Sequence, residues 1–229
     1  MSREPGGRPA SFGGVAARLG KFLTFEGGEG SGKSTQTARL SKRFEEIGQD
    51  VLVTREPGGT ERAEEIREVL LKGDVDQMGP LAETLLFFAA RDDHLEKAIR
   101  PALKDGVWVI CDRFYDSTRA YQGAAGGVQP KILAALERIV VADTKPELTF
   151  ILDLPAEHGL RRAKKRWEES RGEADHFESR ELAFHQKLRT AFLDIAENEP
   201  DRCIVLDATG SEEDISELIW ETVVERFNP

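Results

Sequence analysis

The chain has 229 residues, of which 39% are apolar and 21 are glycine, and its 32 Lys and Arg face 42 Asp and Glu for a formal net charge of -10. That apolar content excludes a disordered chain, and the length suits one α/β domain. The acid excess works against non-specific nucleic-acid binding and requires a locally basic pocket for any anionic ligand; no apolar run approaches the roughly 18 residues of a membrane span.

Residues 1 to 20 are rich in Arg and Gly, show no helical or strand period and lack the apolar centre of a secretory signal, which predicts a flexible tail and a cytoplasmic protein. From Lys21 the run FLTFE reads as a strand, followed by a glycine-rich turn and a helix over Thr35 to Ile47 with Leu40, Phe44 and Ile47 on one face, stopped at Gly48. VLVT (51 to 54) is a second strand, REPGGT a loop, and Glu61 to Leu71 a helix with Ile66, Val69 and Leu70 inward, closed by Gly73. The longest helical pattern starts near Pro80, passes Leu81, Leu85, Phe88 and Leu95, and bends or ends near Pro101. VWVIC (107 to 111) is apolar throughout, as a buried parallel strand requires. A Gly-rich loop at 123 to 127, a helix near 130 to 142, the strand LTFILDL (148 to 154) and a highly charged stretch from Glu157 to about Ser179 come next. A helix to about Glu197, the strand CIVLD (203 to 207) and a helix over 212 to 227 finish the chain. Strands alternate with helices throughout, which predicts an α/β fold: a parallel five-stranded sheet covered by helices on both faces. Cys111 and Cys203 lack metal-ligand spacing and sit in apolar runs, so they read as buried thiols.

The motif with the clearest chemistry is Gly27-Gly28-Glu29-Gly30-Ser31-Gly32-Lys33-Ser34, which fits GxxxxGK[ST] between a strand and a helix. Backbone N–H groups of such a loop curl around phosphate oxygens, and the helix N-terminus adds partial positive charge. Lys33 then reaches the β and γ phosphates, the Ser34 hydroxyl can hold Mg²⁺, and Thr35 closes the segment that would bind ATP. A second constellation, Asp112-Arg113, stands at the carboxyl end of VWVIC, the edge where open parallel sheets bind ligands. Asp112 there could anchor Mg²⁺ and Arg113 could clamp a phosphate bidentately.

EGGEGSGKST, TREPGGT, LLFFAAR, CDRF, STRAYQG, PELTFILDL and DHFE, in this order and spacing, closely resemble bacterial thymidylate kinases from about Lys21 to the C-terminus. The resemblance implies a single-domain P-loop kinase fold over 21 to 229 with a mobile lid at about 157 to 179, ATP and Mg²⁺ as cofactors, dTMP as the small-molecule substrate, and a homodimer. Other nucleoside monophosphate kinases, or an ATP-binding regulatory module without turnover, are the alternatives. Phe87 and Arg91, four apart on a helix, address one ligand; the resemblance has Phe87 stack on thymine and Arg91 donate to its O4. It also places Thr118 and Gln122 at the polar edge of the base, Tyr121 against the 2′ position of the sugar, and Glu29 at the 3′-hydroxyl. By the same resemblance Arg67 and Arg113 would hold the acceptor phosphate in a pocket shaped by Arg55 and Pro57.

The charged stretch packs Arg161, Arg162, Lys164, Lys165 and Arg166 into six residues of an acidic protein. Phosphoryl transfer develops charge on equatorial oxygens, and the variable positions of the P-loop hold no arginine to balance it. The resemblance therefore puts the catalytic cation in the lid, at Arg166 or Arg171. The chain departs from the family in Asp175-His176-Phe177-Glu178, where His176 replaces a common arginine.

Overall fold

A computed structural model describes residues 19–71, 79–170, 177–178 and 180–229, without the side chains of Trp167 and Ser170. The predicted tail up to residue 18, the stop at Gly73, and Arg171, Asp175 and His176 of the lid lie outside the described residues.

Five strands, β1 (Phe22–Glu26), β2 (Val51–Arg55), β3 (Trp108–Asp112), β4 (Leu148–Asp153) and β5 (Cys203–Asp207), form one parallel sheet in the order β2-β3-β1-β4-β5. Every residue of β1 is buried, because helices cover both faces of the sheet. Period-two alternation then splits the apolar residues between two cores. Leu23 and Phe25 of β1 and Trp108 and Ile110 of β3 pack with Leu40 and Phe44 of α1 (Lys33–Glu46) and Ile215, Ile219 and Val223 of α9 (Glu212–Phe227). On the other face Phe22, Val109 and Cys111 meet Phe88 of α3 (Pro80–His94) and Leu133 of α6 (Pro130–Val140). Ile151 and Cys203 meet Leu188 and Phe192 of α8 (Leu182–Asn198). Glu147 pins the start of β1 by accepting the Phe22 N–H at 2.8 Å.

Several expectations require correction. Ile47 and Val69 are 49% and 42% exposed, although the periodicity of their helices predicts burial. Ile47 follows the end of α1, where the backbone leaves helical geometry, and in α2 (Glu61–Leu71) the inward row is Ala63 and Leu70. Leu81 and Leu85 likewise face outward, while Thr84, Phe88 and Arg91 turn in. The long helix does not break at Pro101. A π-helical turn at Leu95–Ile99, closed by Arg100 N–H donating to Leu95 O, leads into α4 (Arg100–Lys104), whose first turn accommodates the proline. The Gly-rich segment is not a simple loop either: after α5 (Tyr115–Thr118), Arg119–Ala125 forms a second π-helical turn. Gly126 closes it where a Cβ would lie 2.8 Å from the carbonyl oxygens of Tyr121 and Gln122. The charged stretch starts as a regular helix, α7 (Ala156–Ser170). Both cysteines are buried and free, and burial pushes Cys203 up to about 12. Among the described residues no helix is long and apolar enough to cross a membrane.

Phe150 stands on β4 beside the central strand, fully buried and stacked on Phe25 of β1 at 5.3 Å between ring centroids. Phe150→Ala should therefore lower the unfolding free energy by about 3–5 kcal/mol, read as a lower urea midpoint with unchanged slope.

Candidate active site

In this strand order the chain reverses its direction of winding at β1, and the crevice at such a reversal lies beyond the carboxyl ends of the strands. A cavity of about 630 Å³ occupies that place, lined by residues 29 to 36 of the glycine loop, by Arg55 and Asp112 at the ends of β2 and β3, and by side chains of α3, α5 and α7. Its size is that of a small-molecule site.

The glycine loop is shaped by backbone freedom at two positions. Gly32, at φ 95°, caps α1 and turns its first N–H groups into the cavity. Gly30, at φ 64°, lies against the first turn of α7: a Cβ there would fall 2.2 Å from Gly159 O, and a Cβ on Gly159 would fall 2.1 Å from Glu29 O. The paired glycines bring α7 into backbone contact with the loop. Gly27 and Gly28, expected among the phosphate-binding residues, do not line the cavity. Their carbonyls instead accept from Lys33 Nζ at 3.1 and 2.8 Å. Burial, with Arg113 nearby, lowers the Lys33 ammonium to about 8 against the opposing pull of Glu29 and Asp112. Ser34 donates to Asp112 Oδ2 at 2.5 Å, so the two predicted metal ligands converge.

Arg113 ties three elements together. It sits at φ 70°, a left-handed conformation that costs a non-glycine residue about 1 kcal/mol. Its guanidinium donates to Gly27 O at 3.0 Å, Ser117 Oγ at 3.1 Å and Glu29 Oε1 at 2.7 Å, and lies 5.0 Å from the Tyr121 ring centroid. Tyr121 donates its hydroxyl to the same Glu29 oxygen. Burial opposes ionisation of Glu29, but Arg113 and Lys33 outweigh it and hold the carboxyl down at about 2. Beneath this group lies Glu26, whose carboxylate accepts from Phe114 N–H at 2.7 Å, Ser117 N–H at 3.2 Å and Ser117 Oγ at 2.6 Å, fixing the turn that carries Arg113.

At the other end of the cavity Phe87 and Arg91 share its wall, as their spacing predicts. Arg91 is 1% exposed; Nε donates to Glu56 Oε2 at 2.7 Å and Nη2 to Thr118 Oγ1 at 3.0 Å. His94 engages the second oxygen of Glu56 at 3.1 Å and Thr54 Oγ1 at 2.7 Å. Arg91 Nη1 has no hydrogen-bond partner among the described residues. A buried donor left over in a cavity wall suits a ligand carbonyl. Thr118, Tyr121 and Gln122 also line the cavity, with Arg55, Pro57 and Arg67 beside them. Arg67 donates to Pro57 O at 2.6 Å, and Arg55 forms a forked pair with Glu64 at 2.9 and 3.0 Å.

Of the five clustered cations, only Arg162 and Arg166 reach the cavity. They are four apart and share a face of α7, whereas Lys164 and Lys165 pair with Glu168 and Glu169 on the exposed side. Arg166 pairs with Glu178. Arg162, Ser117, Glu56 and Phe177 line the cavity beyond the residues expected there from the sequence. The Arg162–Arg166 spacing was readable; the other three depend on chain segments that meet only in the folded protein.

Residues 25–219 match the family model described as thymidylate kinase. The chain is 53% identical over 208 residues to a thymidylate kinase of Bradyrhizobium sp. (strain ORS 278), covering 91% of each. It is 54% identical over 208 residues to one of Caulobacter vibrioides, covering 91% of this chain and 98% of the relative. Its fold superimposes on the crystal structure of thymidylate kinase from Ehrlichia chaffeensis with a TM-score of 0.71 at 33% identity, covering 90% of this chain and 99% of the other.

Burial, reinforced by Asp116, raises the Glu26 carboxyl from an ordinary 4.5 to about 7, against the pull of Ser117 and Arg113. Folding therefore takes up a proton between those values: the contribution to stability is full below about 4.5 and is lost as pH rises through about 7. Glu26→Gln, which carries no charge at any pH, should gain stability relative to the natural protein between about pH 5 and about pH 8 in urea unfolding. A stability difference independent of pH would contradict the assignment.

Proposed function

The chain belongs to the thymidylate kinase family, and from that premise we propose how its residues divide the transfer of the γ-phosphoryl group of ATP to dTMP, which yields dTDP and ADP. One observation carries the reading: a single cavity has the phosphate loop in one wall and the Phe87–Arg91 pair in another, so a donor and an acceptor nucleotide can lie end to end. The loop amides, the α1 N-terminus and Lys33 hold the donor phosphates. The lowered proton affinity of Lys33 is restored when phosphate charge arrives beside it.

Phe87 stacks on thymine, contributing about 1–3 kcal/mol with little discrimination among bases, and Arg91 Nη1 supplies the discrimination through O4. Thr118 and Gln122 face the polar edge of the base, Tyr121 crowds the 2′ position, and Glu29 takes the 3′-hydroxyl. Arg113 and Arg67 orient the acceptor phosphate beside Arg55 and Pro57. That phosphate is already ionised, so its oxygen attacks the γ-phosphorus in line with no general base. Arg166 is the lid cation that neutralises charge on the transferring group, with Arg171 outside the described residues as the second candidate.

Ser34 Oγ and Asp112 Oδ2 are hard oxygen donors in contact at the donor end of the cavity, a pair that fits Mg²⁺ completed by phosphate oxygens and water. When bound, the ion would neutralise donor phosphate charge.

The protein also works as a homodimer on this reading, in the cytoplasm where ATP is available. Val69 of α2, Leu81 and Leu85 of α3 and Ile139 of α6 are 42%, 47%, 48% and 71% exposed on neighbouring helices, an apolar surface suited to a second copy.

Coupled ADP release across dTMP, dUMP, dCMP, AMP and GMP tests the activity. The kcat/KM should be greatest with dTMP and about 10- to 200-fold lower with dUMP, since one methyl group is worth about 1–3 kcal/mol. Lys33→Ala and Arg113→Ala should each lose about 10²-fold or more in kcat with unchanged circular dichroism. ATP binding without dTMP-dependent ADP release would favour a regulatory module. Sedimentation should give twice the 25.5 kDa chain mass, reduced to one chain by Leu85→Glu.

A further inference from the structure

Arg91 and Gln122 both line the base end of the cavity, and each is oriented by a carboxylate behind it. Glu56 and Thr118 occupy Arg91 Nε and Nη2, so Arg91 offers its remaining group as a donor. The amide of Gln122 has no such intrinsic polarity: rotated by half a turn it presents either an oxygen or an NH₂ group. Glu83 decides between the two. Gln122 Nε2 donates to Glu83 Oε1 at 2.7 Å, so the NH₂ group faces Glu83. Glu83, Phe87 and Arg91 follow one another at intervals of four residues on one face of α3; Phe87 and Arg91 line the cavity, and Glu83 stands one turn before them, outside its lining. Gln122 itself is 2% exposed, which makes a misdirected amide costly.

We propose that Glu83 is a positioning residue for base selection, holding the Gln122 amide so that the slot presents an acceptor beside the Arg91 donor. This rests on the dTMP reading given above. Thymine and uracil match that pattern, with O4 as acceptor and N3–H as donor; cytosine opposes it at both positions, with an exocyclic NH₂ donor and N3 as acceptor. Glu83 touches neither phosphate group nor the reacting atoms, so its effect belongs in monophosphate binding and leaves the chemical step alone.

The test compares the natural protein with Glu83→Gln, Glu83→Leu and Glu83→Lys. Calorimetric binding of dTMP and dCMP without ATP is measured together with KM for dTMP, KM for ATP and kcat. In Glu83→Leu the amide is released, and in Glu83→Lys an ammonium draws the Gln122 oxygen away from the slot. Both should raise the Kd and KM for dTMP by about tenfold or more and narrow the dTMP-to-dCMP ratio, with kcat and the KM for ATP unchanged. Glu83→Gln retains a carbonyl that can accept from Gln122 and should restore most of the ratio. An unaltered dTMP-to-dCMP ratio in Glu83→Leu and Glu83→Lys overturns the proposal. A uniform loss affecting kcat, both KM values and thermal stability also overturns it, because that is the mark of a purely structural role. Failure of the dTMP reading is distinguished at the outset: the natural protein would then neither bind dTMP nor release ADP in its presence.

Discussion

The site depends on how Arg113 is gripped. Its guanidinium bonds the first glycine of the phosphate loop, the hydroxyl of Ser117 and the Glu29 carboxylate, and so joins the loop after β1 to the turn after β3. The backbone of Arg113 is left-handed, and Glu26 holds it there by accepting from Phe114 and Ser117 on the far side. Without that brace the two ends of the cavity, one walled by the glycine loop and the other by Phe87 and Arg91, would have no fixed separation. In-line transfer requires that separation to be held closely.

The same logic recurs along the cavity. A protein of net charge -10 must collect positive side chains where two anionic ligands meet, and it must do so without exposing them to one another's repulsion. Each arginine is paired with an oxygen acceptor: Arg91 with Glu56, Arg113 with Glu29, Arg55 with Glu64, and Arg166 with Glu178. The pairing offsets the cost of burial for the innermost cations and fixes the direction in which they point. In the Arg166–Glu178 pair the arginine is exposed and the glutamate buried, so the cation is anchored from the protein side while its guanidinium borders the cavity, on a helix in contact with the loop through Gly30 and Gly159.

Where the periodicity differs from the structure, two rows of one helix compete for the core. Leu81, Leu85 and Val69 belong to apolar patterns that a single chain would be expected to turn inward, yet α3 commits its inner row to Thr84, Phe88 and Arg91. A helix cannot present both rows to one sheet, and the site claimed the inner one. The π-helical turn at Arg119–Ala125 is a similar case: its glycines signalled a loop, but the wider turn brings both Tyr121 and Gln122 to the cavity wall.

The residues alone settled the strand and helix order, the glycine loop with Lys33 and Ser34, the Asp112–Arg113 pair and the Phe87–Arg91 spacing. All of these are local, since each depends on a backbone period or on neighbours within a few positions. Folding decided which charges reach the cavity and what directs them. Glu26 under the Arg113 turn, Glu56 behind Arg91, and Arg162 rather than Lys164 or Lys165 on the inner face of α7 follow from sheet order and helix rotation. Pairs such as Glu29 with Arg113, 84 residues apart, arise because parallel pairing places the ends of β1 and β3 side by side. No local pattern carries that information; closing the sheet creates it.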